Sequence, residues 1–114
     1  MSPLHLTLTH DRAPDEVSRP DPAKRVSGDP LHETWLLEDR APLFAGIWRS
    51  SEGAWRVSYD EWEYFNVLSG RGVLHEDGGA SVALEPGGRH IIRPGFKGVF
   101  EVRAALTKDF VILT

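Results

Sequence analysis

Cysteine is absent from the 114-residue chain. That removes disulfides, thiolate metal sites and cysteine nucleophiles, and it suits a reducing, cytoplasmic setting. No run of Lys and Arg exceeds two residues, and the formal net charge is −4. The basic footprint that nucleic acid or an anionic membrane surface requires is lacking. No stretch approaches the roughly 18 consecutive apolar residues of a membrane-spanning helix. The opening MSPLHLTLTH has neither the basic flank nor the apolar centre of a secretory signal. Sustained helical periodicity is missing as well, because glycine or proline interrupts every window long enough for it. There is no phosphate-binding glycine loop, no GxSxG and no HExxH. These absences predict a cytoplasmic, mainly β protein with no nucleic-acid or membrane partner.

What is present is one domain's length of chain, 40% hydrophobic, which is enough to fill a core. Residues 10–30 hold four of the eight prolines and many charges, with few apolar residues between them. Such a segment cannot bury enough surface to fold alone. Residues 1–30 therefore read as an N-terminal arm laid over the domain. Within it Leu4, Leu6 and Leu8 alternate with polar residues, the period of an edge strand over 4–9 that would add to a sheet, here or on a second subunit.

Residues 31–114 read as a β-barrel domain. Strands are predicted at 43–49, 54–59, 62–68, 72–76, 80–85, 89–93, 99–103 and 108–113. Between them stand turn signals: Glu52-Gly53, Ser69-Gly70, Asp77-Gly78-Gly79, Pro86-Gly87-Gly88 and Pro94-Gly95. Short strands at this spacing make a sandwich or barrel.

The fragments FNVLSG after Glu63, then EDGG, EPGG, RPGFKGVFEV and KDFVIL, occur in that order. Together they resemble the cupin superfamily, and within it the single-domain cupins of the ethanolamine-utilisation and ureidoglycine-aminohydrolase-like group. The likeness covers residues 27–113 and implies a jelly-roll β-barrel. Cupins of the broad pattern hold a metal with two histidines, a glutamate and a later histidine. Counting back from Gly70 keeps the glutamate at Glu63. The two early histidines fall on Val57 and Tyr59, or on Arg56 and Ser58 with the alternative spacing, and the late one on Gly98. One ligand of four survives, so the expectation is no metal and no cofactor.

Alternation along strands turns Glu63 inward together with Val57, Tyr59, Phe65 and Val67, and leaves Trp62, Tyr64 and Asn66 outside. His90 and Ile92 fall on an inward face, as do Phe100 and Val102, and Phe110 and Ile112. A carboxylate in a barrel needs a partner, and Tyr59 and His90 are the expected ones. Glu63, Tyr59 and His90 are the candidate catalytic residues; Trp55, Phe65, His75, Arg93 and Phe100 are the candidate ligand contacts. Trp35 and Trp48 read as ordinary core, and His5, His10 and His32 as exposed. Apolar residues on both faces of KDFVIL, with Trp62 and Tyr64 outward, predict a homodimer. The expected function is metal-independent binding of a small polar metabolite. The alternatives are a metal-free isomerase, lyase or hydrolase using Glu63 as general acid/base, and a metalloenzyme with a displaced site at Glu63, His90 and His75.

Overall fold

A computed structural model describes residues 3–114. The described residues form a curled, antiparallel β-structure of the jelly-roll type, nine strands in one continuous sheet. The short β1 (Glu16–Ser18) and β2 (Arg25–Gly28) belong to the N-terminal arm, with one turn of 3-10 helix, Pro22–Lys24, between them. There follow β3 (His32–Arg40), β4 (Leu43–Ser50), β5 (Gly53–Ser58), β6 (Trp62–Glu76), β7 (Ser81–Leu84), β8 (Arg89–Ile92) and β9 (Lys97–Leu113). No helix is long and apolar enough to cross a membrane among the described residues.

Two long strands organise the rest. β9 pairs with β6 along nearly all of its length. Its other edge is shared: residues 97–102 pair with β5 and residues 106–113 with β4. β3 and β1 extend the sheet beyond β4, β2 extends it beyond β5, and β7 and β8 lie along β6. The sheet curls because both long strands carry residues to two neighbourhoods at once.

Four expectations are corrected here. The predicted 62–68 and 72–76 are a single strand, as are 99–103 and 108–113. Ser69-Gly70 is not a turn but a bulge, where the β6–β9 register shifts. Gly70 has φ +86°, and a Cβ there would lie 2.1 Å from the Ala105 carbonyl oxygen, so glycine is required. The bulge also switches parity, since Glu63, Phe65 and Val67 face inward before it and Gly72 and Leu74 after it. Strand β3 went unread because Trp35, Leu36 and Leu37 are apolar on both of its faces. Residues 4–9 form no strand, and Leu4, Leu6 and Leu8 are exposed.

The core lies on the concave face. Phe65, Phe100, Leu84, Ile92 and Leu106 are fully buried there, with Val67, Val102 and Phe110 against them. Each large apolar side chain so buried stabilises the fold by about 1.5–3 kcal/mol. On the convex side Trp35 and its ladder partner Ile47 are buried instead, and the Trp35 indole donates to the Arg12 carbonyl at 2.6 Å. That contact, with Asp15 accepting from the Leu36 amide at 2.7 Å, ties the arm to β3.

Candidate functional site

Five strands, β3, β4, β5, β6 and β9, meet around a cavity of about 250 Å³ at one end of the concave face. The ladder explains its wall. Thr34, Trp48 and Lys108 stand side by side on β3, β4 and β9, since Thr34 pairs with Trp48 and Trp48 with Lys108. Trp55 on β5 pairs with Phe100 on β9, and the two rings stack with centroids 5.2 Å apart. Glu63 and Tyr59 complete the wall from the β6 side.

Glu63 is 4% exposed and faces into the curled sheet. Its partner is Lys108, itself 5% exposed, whose Nζ donates to Glu63 Oε2 at 2.8 Å. The ammonium also lies 4.4 Å from the Phe65 ring centroid, 4.8 Å from Trp48 and 5.3 Å from Phe100. A carboxylate on one side and three π faces on the others offset the loss of water around a buried cation.

His32 is half-buried at the head of β3, its ring 4.4 Å from that of Trp55 and 5.1 Å from that of Trp48. Burial, helped by the Lys108 charge, pulls its pKa down to about 4. The imidazole is therefore neutral near pH 7, and its buried Nε2 has no hydrogen-bond partner among the described residues. Tyr59 packs edge-on against Phe96 at 5.9 Å. Burial, then the charges of Glu63 and Glu61, push its phenol well above the usual value, which keeps it a hydrogen-bond donor. A second depression, lined by Pro20, Asp21 and Lys24 of the arm, shares His32, Trp55 and Tyr59 with the cavity and lies at its mouth.

The expected partners of Glu63 are thus corrected: neither Tyr59 nor His90 bonds to it. His90 stacks on Phe65 at 5.1 Å and lines a separate groove with Ile91 and Arg93. Burial lowers its pKa, and its Nε2 is unpartnered among the described residues. His75 lies outside the cavity, its Nδ1 2.8 Å from Ser81 Oγ and its Nε2 2.9 Å from Glu101 Oε1. Arg93 is exposed in the turn after β8 and does not reach the cavity wall. Trp55 and Phe100 line the cavity; Phe65 lies beneath Lys108. Trp48, read as plain core, lines it too, and His32, read as exposed, is on its wall.

Lys108 went unread although it carried a signal. Phe100, Val102, Leu106, Phe110 and Ile112 share its parity, so a single strand over 97–113 turns Lys108 inward.

The residues at the cupin metal positions do not fit a transition ion. Val57 offers no donor, and a Cβ at Gly98 would lie 1.8 Å from the His75 carbonyl oxygen. Arg56 and Ser58 are exposed, with Arg56 bonded to Asp77. The remaining carboxylate already holds an ammonium. Among the described residues no three His, Asp or Glu side chains converge, so Glu63, His90 and His75 do not form a displaced site.

The model of the EutQ-like cupin domain family matches residues 38–110. This chain belongs to that family. No curated protein matches it. Among solved structures, a DUF861-family protein of Pseudomonas syringae pv. tomato superposes on this EutQ-like cupin with TM-score 0.77 at 22% identity, over 83% of this chain and 42% of that one. Clostridium difficile EutQ does so with TM-score 0.66 at 22% identity, over 74% of this chain and 63% of its own. The ectoine synthase of P. lautus gives TM-score 0.66 at 16% identity, over 72% and 63%. At these identities the likeness is one of fold. The chain spans about two fifths of the length of the first relative and under two thirds of the other two.

Proposed function

We propose that this EutQ-like cupin holds a small, uncharged polar metabolite in the cavity beside Glu63 and Lys108, without a metal. One feature carries the reading: the buried Lys108–Glu63 pair stands at a cavity wall that also holds the unpartnered Nε2 of His32. Unpaired buried polar atoms cost stability unless something bonds to them. Apolar walls with a few convergent polar groups are the usual make-up of a ligand site. The charges of Lys108 and Glu63 cancel and His32 is neutral, which favours an uncharged guest over an anion. A volume of about 250 Å³ falls below the ~300–1,000 Å³ of drug-sized ligand sites, so the guest is small.

Thermal shift and tryptophan fluorescence against a panel of small amides, ureas, polyols and carbonyl compounds test this, since Trp48 and Trp55 both face the guest. The expected result is a hit among uncharged compounds that weakens at least tenfold in His32→Leu. Hits confined to anions, or to metal-loaded protein, overturn it.

A second reading, a metal-free isomerase, lyase or hydrolase, is supported by the same hydrogen bond. Glu63 as general acid/base has Lys108 as its proton partner at 2.8 Å. Glu63→Gln is expected to keep some binding and abolish turnover; unchanged turnover refutes this role. We also propose a homodimer. Ile91, Tyr64, Val111 and Ala45 form an in-register row on the convex face of β8, β6, β9 and β4, a continuous strip suited to a second copy.

A further inference from the structure

We propose that Lys108 captures its guest covalently, as an imine with a small uncharged aldehyde or ketone. This rests on the cavity being the binding site, and it names the chemical class that the site takes.

Three observations lead there. First, Lys108 presents a primary amine at the cavity wall with its side chain 6% exposed, against the aromatic rings of Trp48, Phe65 and Phe100. Imine formation expels water, and a site walled by aromatics favours it. Second, Glu63 Oε2 lies 2.8 Å from Nζ, near enough to take the proton that the amine must lose before it attacks. Third, the surroundings suit the product. The protonated imine carries the same single positive charge as the ammonium, so the Glu63 carboxylate and the three rings still face a cation.

The reaction balances without a co-reactant. Nζ passes one proton to Glu63, and its freed lone pair bonds to the carbonyl carbon. The C=O π pair moves to oxygen, which takes the second proton that the newly bonded nitrogen sheds. The resulting carbinolamine loses that oxygen as water when Glu63 returns its proton, and the nitrogen lone pair forms C=N. In sum, an ammonium and a carbonyl compound give an iminium and one water, with no oxidation or reduction. The Tyr59 hydroxyl, kept protonated, and the Thr34 hydroxyl are on the same wall and supply donors to a polar substituent of the guest. A lysine is required for this step; an arginine in its place would retain the charge and lose the nucleophile.

The chain has three lysines, and Lys24 and Lys97 are exposed, so they serve as internal controls. Wild-type protein is treated with butanal and sodium cyanoborohydride, and the rate of N-butylation at each lysine is read by peptide mass spectrometry. Lys108 is expected to react at least tenfold faster than Lys24 or Lys97, and about tenfold more slowly in Glu63→Gln. Labelling of Lys108 at or below the rate of the exposed lysines overturns the proposal. Butyramide, of similar size and without an electrophilic carbonyl, separates this from failure of the binding site itself. Stabilisation by butyramide with no labelling at Lys108 sinks the imine and leaves the pocket; neither stabilisation nor labelling sinks both.

Discussion

Lys108 stands opposite Val67 on the β6–β9 ladder, yet its ammonium bonds to Glu63, four residues back along β6. To get there the side chain passes across Phe65, which lies between the two on the same face. The lysine stem is buried along its length, and the pair closes the floor of the cavity. Two opposite charges held this way are interdependent, and removing one strands the other in a medium that solvates it poorly.

Lys108→Met is accordingly expected to destabilise the protein by about 3–5 kcal/mol, the usual cost of leaving one buried charge unpaired. The double variant Lys108→Met/Glu63→Gln is expected to recover much of that loss. Urea unfolding of both variants checks this. A double variant no more stable than the single one counts against the pair as the cause.

His32 makes stability depend on pH. Its folded pKa of about 4 lies below the ordinary ~6.5 of histidine in an unfolded chain. Between those values the unfolded state binds the proton and the folded state does not. The contribution is complete above about pH 6.5 and is lost as pH falls toward 4. His32→Phe is expected to flatten this part of the profile. Equal slopes for wild type and variant in urea titrations between pH 4 and 7 would contradict the neutral imidazole.

Gly70→Ala tests the bulge. A methyl group there meets the Ala105 carbonyl at φ +86°, so strain and clash combine to an expected loss of more than about 2 kcal/mol. Gly78, in an open turn at φ +70°, is the comparison. Its alanine variant carries only the backbone penalty and is expected to lose about 1 kcal/mol. A smaller shift in melting temperature for Gly70→Ala than for Gly78→Ala would refute the account.

Tyr64→Asp and Val111→Lys place charges in the convex row. Each is expected to shift the protein toward monomer in sedimentation velocity while leaving its circular dichroism intact. A wild-type protein that sediments as a monomer at micromolar concentration removes the dimer.

Several features were legible in the linear chain because they depend on local chemistry. Turn glycines such as Gly87 and Gly95 mark reversals through their positive φ, and period-two alternation turns Glu63, Phe65 and Val67 to one face. The family resemblance rested on such local fragments, and it implied the jelly-roll that the curled sheet has. Other features depend on which strands become neighbours. Ser69-Gly70 has the composition of a turn and forms a bulge, because β9 continues alongside and keeps β6 paired. Lys108 is separated from Glu63 by 45 positions, and His32 reaches the cavity only because β3 docks on β4. No local pattern encodes those meetings. Side-chain direction follows from the alternation of the backbone, whereas the partner that a buried charge finds follows from how the sheet curls.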